Sequence, residues 1–458
     1  MNMHPYKETT TDINFHPPKV ESFVLSNGIR VHFVQRKKIP VIQLVILLDG
    51  GSIYDPSGKE GISALHSRLV DEGAGPYSAL ELNDEIEILG SSISVQSNKE
   101  NTYFGLLSLV ENFNRTLELL SLIVSKPSFT ETDFIREKNR SLAFLPQIKN
   151  YPDMTASIIF DRVVNGEGSP FAHLEEGYVD SVNEIQLDDI KNFNSKIIQP
   201  DNMDIIIVGQ LDKIEAVSLF EKYFGNLTSQ NSKYQVERNF KVNSGSIYLY
   251  DKPNAEQTEI LIGHKSTPRN HADFFPKQIV NKIFGGQFSS RLNSSIREKL
   301  GLTYGINSSF RYSKEFSDFI ISTSVSTDST FVALEAIHSE LSNLKEEISD
   351  EEIAFAKNSI IRQFPAFFET NSSILGNLVH LSMCNTKLDS LSSYTDNIKK
   401  VSKEEIFEVA NNGISWDAAE IVLVGDVKKL LEQFNNQSLN KKVILVDEWG
   451  AIKKQNDF

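Results

Sequence analysis

Hydrophobic and polar positions fall in short blocks along the chain, and the blocks switch between a period of two and a period near 3.6. Phe23-Val24-Leu25 and Ile29 to Val34 flank Ser26-Asn27-Gly28, the signature of a β-hairpin. Pro40 to Leu48 is an apolar run broken by Gln43, which predicts a buried strand that Gly50-Gly51 ends. Helical spacing takes over from about Ile62 to Glu72 and stops at Gly73. Ser92 to Leu109 alternates enough to predict a hairpin or two sheet strands. Asn112 to Ser125 and Glu131 to Phe144 are again helical, with Lys126-Pro127-Ser128 between them.

The same blocks come round twice. Phe129-Thr-Glu-Thr-Asp-Phe-Ile-Arg-Glu-Lys-Asn139 is similar to Ile348-Ser-Asp-Glu-Glu-Ile-Ala-Phe-Ala-Lys-Asn358, 219 residues later. Asp188-Asp189-Ile190 followed by Ile205 to Gly209 is similar to Glu404-Glu405-Ile406 followed by Ile421 to Gly425, 216 residues later. A period near 217 exceeds any solenoid repeat and predicts two copies of one mixed α/β domain. Thr130 and Ser349 stand at matching N-cap positions, each ahead of acidic residues. Asn226 to Ser244 is polar without an apolar period and is expected to link the copies. The expected division is an N-terminal extension over 1–18, a first domain over 19–225, the linker over 226–244 and a second domain over 245–458.

Composition narrows the function. Of 458 residues, 40% are hydrophobic, enough for substantial cores. Forty-six Lys+Arg against 61 Asp+Glu leave a formal charge of −15, which argues against nucleic acid or an anionic membrane as the main partner. Cys384 is the only cysteine, so an internal disulfide framework and a cysteine zinc site are excluded. No stretch is long enough to span a bilayer. Met1 to Pro18 lacks the apolar segment of a signal peptide, and a cytoplasmic location is expected.

Few residues announce chemistry. No two of the nine histidines lie three to five positions apart, so no helix carries a histidine pair for zinc. His173-Leu-Glu-Glu176 resembles half a metal motif and reads better as a surface loop. The phosphate-cradling and nucleophile-turn motifs are missing. Within Gly61 to Gly75, Ile62, Leu65, Leu69 and Val70 form one apolar arc that includes His66, which predicts a packed core histidine. Ala64, Ser67 and Arg68 cluster on the opposite face. In Ser289 to Gly305, Ser289 or Ser290 can cap a helix with stripe Leu292, Ile296 and Leu300, ending at Gly301. Arg297 would occupy its last turn and Tyr304 the following strand. A guanidinium and a phenol converging there suit a carbonyl oxygen or a developing oxyanion. They also suit a charge at a helix end and a ring packed in the sheet, and these residues alone favour that reading.

With its duplicated domain, SNG hairpin and IREKLGLTYG segment, the chain resembles the insulinase and mitochondrial-processing-peptidase family from about Lys19 to Leu431. These are inverted zinc peptidases with an H-x-x-E-H motif. The resemblance implies an α+β fold of two tandem homologous domains, each a mostly antiparallel sheet packed against helices, together forming half of a clam. It places substrate-carbonyl contacts on Arg297 and Tyr304, and a substrate-pairing edge strand around Ser92 to Gln96.

It also marks a departure. Laid on Gly61-Ile62, the family's first zinc histidine falls on Ala64, its glutamate base on Ser67, its second histidine on Arg68 and its third ligand on Phe144; Glu137 matches a supporting acidic position. Zinc needs three neutral or anionic ligands and an open position, so no metal or other cofactor is expected in this chain. The implied role is the non-metal subunit of a heterodimeric peptidase, inactive alone. It would close a peptide chamber with a homologous H-x-x-E-H subunit that holds the zinc, and supply Arg297 and Tyr304 in trans. The rivals are a structural relative, like the core subunits of respiratory complexes, and a pseudopeptidase that captures peptides without cleaving them.

Overall fold

The computed structural model describes residues 13, 15–229, 245–314, 316–435 and 439–453. Most of the expected linker, from 230 to 244, lies outside them, as does most of the expected extension. The first sheet comprises β1 (Glu21–Val24), β2 (Arg30–Gln35), β3 (Val41–Asp49), β4 (Ser92–Ser97), β5 (Asn101–Leu109) and β6 (Met203–Gly209), in the order β1-β2-β6-β3-β5-β4. The second comprises β7 (Ser246–Asp251), β8 (Gln257–Lys265), β9 (Ile306–Tyr312), β10 (Ser317–Ser326), β11 (Glu420–Gly425) and β12 (Lys442–Val446), in the order β12-β7-β11-β8-β10-β9.

Helices α1 (Ile62–Leu69), α2 (Ala79–Ile88), α3 (Phe113–Ser125), α4 (Glu131–Phe144), α5 (Pro152–Asn165), α6 (Val179–Glu184), α7 (Leu187–Ile197) and α8 (Lys213–Phe224) accompany the first copy. The second brings α9 (Phe274–Phe284), α10 (Thr330–Glu346), α11 (Asp350–Gln363), α12 (Asn371–Met383), α13 (Tyr394–Lys400), α14 (Lys403–Asn412) and α15 (Val427–Asn435). The architecture is α+β, with two similarly built halves. The repeat is visible in the topology: β6 and β11, which carry Ile205 to Gly209 and Ile421 to Gly425, both lie third from a sheet edge. Thr130 and Ser349 cap α4 and α11 by accepting from the backbone N–H three residues on, at 3.1 and 3.2 Å. The halves differ at one edge, where β1 runs antiparallel to β2 but β12 runs parallel to β7.

Two helices cross over. α5 lies on β8 and β11 of the second sheet, and α12 lies on β3 and β6 of the first. The exchange explains why β6 and β11 are apolar without alternation, since both faces of each are covered. Ile205 and Ile207 enter the main core of the first half, whereas Ile206 and Val208 meet Leu375, Leu378 and Leu381 from α12. Correspondingly, Ile421 and Leu423 enter the second core, while Val422 and Val424 meet Ile159, Phe160 and Val163 from α5. Asp161 on α5 adds a polar tie, holding Lys99 from the β4–β5 turn at 3.0 Å and Arg311 from β9 at 3.3 Å. No helix among the described residues is long and apolar enough to cross a membrane.

Candidate functional site

α1 begins without a cap of its own. The Asp55 carboxylate accepts from the N–H groups of Gly61 at 2.7 Å and Ser63 at 3.0 Å, satisfying two donors at the helix start. Burial pushes the Asp55 carboxyl up to about 7. Gly61 has φ +103°, and a Cβ there would meet the Glu176 carbonyl oxygen at 2.6 Å. This close backbone approach brings the loop carrying Glu176 against α1.

The helix is buried on nearly every side. His66 is fully buried between Phe129 and Phe193 and bonds Asn194 Oδ1 through Nε2 at 2.9 Å. Burial drives its pKa down to about 4, as suits a packed core histidine. Ala64 and Ser67, expected on an opposite face, are each only 7% exposed. Ser67 spends its hydroxyl proton on the Ala64 carbonyl at 2.8 Å. Arg68 donates to Ser141 Oγ on α4 at 2.8 Å and pairs with the Glu176 carboxylate. Phe144, 37% exposed, ends α4 just beyond Ser141.

A methyl group, a committed hydroxyl, a guanidinium and a phenyl ring do not fit a zinc ion, and no step through a metal follows from them. Among the described residues, no three His, Cys, Asp or Glu side chains are grouped to hold a metal.

The Arg297 segment differs in shape from its expectation. Asn293–Lys299 is a π-helix, with Leu300 N–H reaching Ser295 O at 3.0 Å, not an α-helix. Leu292 and Ile296 are buried, but Leu300 is 48% exposed and leaves the expected stripe. Asn293 pins the segment by donating to Ile306 O on β9 at 2.7 Å.

Tyr304 does not lie on the strand; it occupies the turn before β9. The Thr303 hydroxyl donates to Ser324 O at 2.8 Å and accepts from the Gly305 N–H at 3.1 Å. That bracing leaves Tyr304 94% exposed, so it is not a ring packed in the sheet. Arg297 makes no ion pair or side-chain hydrogen bond among the described residues; its guanidinium carbon lies 4.4 Å from the centroid of the Phe288 ring.

Residues 30–165 match the model of the insulinase family, peptidase family M16, and residues 184–360 match that of the peptidase M16 inactive domain. The chain belongs to the insulinase family. An uncharacterized zinc protease of Rickettsia bellii is 25% identical over 342 residues, covering 73% of this chain and 81% of the relative. The non-peptidase homologue YmxG of Helicobacter pylori is 23% identical over 384 residues, covering 83% and 88%. Among solved structures, a peptidase M16 inactive domain from Pseudomonas fluorescens superposes with TM-score 0.82 at 25% identity, over 89% of this chain and 98% of that one.

Within this insulinase fold the two terminal strands beside the candidate sites are not equivalent. β4 pairs only with β5 among the described residues, and it runs beside α1. Next to it a 440 Å³ groove is lined by Val45, Leu107, Leu375, Val379 and Met383 among others. β9 has its outer side engaged: Ser308 N–H donates to Gly285 O at 3.3 Å, and Ile306 O accepts from Asn293. Sequence reasoning missed Glu176 and Ser141 as partners of Arg68. His173-Leu-Glu-Glu176 drew attention for metal, whereas Glu176 serves an arginine.

Proposed function

We propose that this chain is the metal-free subunit of a two-chain peptidase. It closes a peptide chamber with a homologous subunit that carries H-x-x-E-H and zinc, and it presents Arg297 and Tyr304 in trans to the carbonyl of the scissile bond. The observation that carries the reading is the pair's state: Tyr304 is 94% exposed, and Arg297 has no carboxylate partner among the described residues. A charge kept for a helix end and a ring kept for packing would not leave a phenol in solvent. The likeness to a non-peptidase homologue and to a peptidase M16 inactive domain supports the absence of cleavage by this chain alone.

Zinc in the partner would supply an activated water. The part of this chain is to donate hydrogen bonds to the carbonyl oxygen as negative charge develops there. Mixing the chain with its zinc-bearing homologue tests this: cleavage should appear that neither shows fully alone. Tyr304→Phe removes one donor and should lower turnover by about 10²–10³ with the complex intact on sizing. Arg297→Lys keeps the charge, loses the planar fork and should also be impaired. Undiminished turnover in both variants would defeat the reading.

The open edge of β4 and the apolar groove beside it favour a second reading, capture of extended peptides without cleavage. Peptide binding by the isolated chain, with no gain in cleavage on mixing, would select it.

A further inference from the structure

Two arginines of one short segment are treated in opposite ways. Arg291 is consumed: it donates to the Glu352 carboxylate at 2.7 and 2.8 Å and to the Glu347 carbonyl at 2.8 Å. Arg297 lies against an aromatic ring instead, with the centroid 4.4 Å from its guanidinium carbon. The ring belongs to Phe288, which is 64% exposed. The backbone around Phe288 is nevertheless fixed. Gly286 N–H donates to Asn281 O at 2.7 Å, Ser290 N–H to Gln287 O at 3.1 Å, and Asn293 Nδ2 also reaches Gln287 O at 3.3 Å. A rigid support therefore holds a large apolar ring out in solvent, under a cation.

The chemistry of the contact matters. A carboxylate partner would neutralise the guanidinium and occupy its N–H donors. A ring engages the charge without accepting conventional hydrogen bonds, so the donors around the edge of the guanidinium stay available. We propose that Phe288 is a positioning residue for Arg297, holding the guanidinium in place while leaving its charge and donors for a peptide carbonyl. This deepens, and rests on, the reading that Arg297 serves a substrate in trans.

The test has two arms. In the first, the full chain is labelled with ¹⁵N at arginine, and the Arg297 Nε–Hε resonance is assigned by its loss in Arg297→Lys. In the wild type this resonance should be displaced by the ring current and restrained in motion. Phe288→Leu should shift it toward a free arginine and mobilise it, and Phe288→Trp should restore the restraint. An Arg297 resonance unchanged by Phe288→Leu overturns the proposal.

The second arm measures the reconstituted pair. Phe288→Leu should lower kcat/KM by about two- to fivefold, the scale of an exposed cation–π contact, with rescue by Phe288→Trp. It should cost little more once Arg297→Lys is present. If Arg297→Lys impairs turnover but Phe288→Leu does not, positioning is overturned. If Arg297→Lys costs nothing while Phe288→Leu still frees the resonance, the trans reading has failed and the positioning contact stands.

Discussion

Arg68 on α1 is ion-paired with Glu176 in the loop ahead of α6, at the position where the family resemblance places a zinc histidine. The same guanidinium donates to Ser141 on α4, so a single side chain joins three segments that lie far apart in sequence. Gly61 makes the geometry attainable, since any larger residue would push the Glu176 backbone away from α1. A cation with two fixed partners ties together the region onto which the resemblance lays the metal ligands.

The first prediction follows from that tie. The purified chain should contain no stoichiometric zinc by elemental analysis and should cleave no peptide alone. Arg68→Ala should lower stability to urea by about 1–2 kcal/mol, because the pair is partly exposed yet leaves Glu176 without its cation. Addition of zinc should not restore the loss. One tightly held zinc per chain, removable together with peptidase activity, would sink this account.

His66 gives a prediction about pH. Its folded pKa near 4 lies below the ordinary value of 6.5 because burial disfavours the charged ring. Between these values the unfolded chain binds the proton first, so the contribution of His66 to stability is full above about pH 6.5 and is lost as pH falls toward 4. The full effect is about 3 kcal/mol. Asp55 and Asp71 oppose it, since burial raises their carboxyls to about 7 and about 6, and they take up protons in the folded state first. The comparison that isolates His66 is wild type against His66→Gln. Their stability difference should shift against the wild type between pH 6.5 and 4; parallel profiles would show that His66 does not titrate as described.

Much of the fold was legible because local pattern and tertiary role agree. The alternation at Ser92 to Leu109 became a hairpin, and Thr130 and Ser349 became caps. The candidate site was less legible. Arg297 and Tyr304 could be named from their segment, but the wide π-turn and the turn before β9 depend on Asn293 and Thr303 contacting strands elsewhere. Ala64 and Ser67 lie opposite the apolar arc of α1, yet neighbouring elements bury them, since spacing within one helix says nothing about what covers its second side. The apolar runs in β6 and β11 marked the repeat in the sequence, but that both of their faces are covered, and by a helix of the other half, came only from the packing.

The crossing of α5 yields the last prediction. Phe160 belongs to the first half by sequence but is fully buried against the second sheet, where an added Cβ on Gly263 of β8 would meet its ring at 2.8 Å. Phe160→Ala should therefore cost about 3–5 kcal/mol, from lost burial and the cavity left behind. The location of the damage is the informative part. Hydrogen exchange should accelerate first in β8 and β11, with β2 and β3 following only when the whole chain opens. A reciprocal substitution, Leu378→Ala on α12, should loosen β3 and β6 before β8 and β11. Exchange that quickens first in the sheet of the mutated residue's own half would mean that the two helices do not cover each other's sheets. The shared burial along β6 and β11 would then need another source.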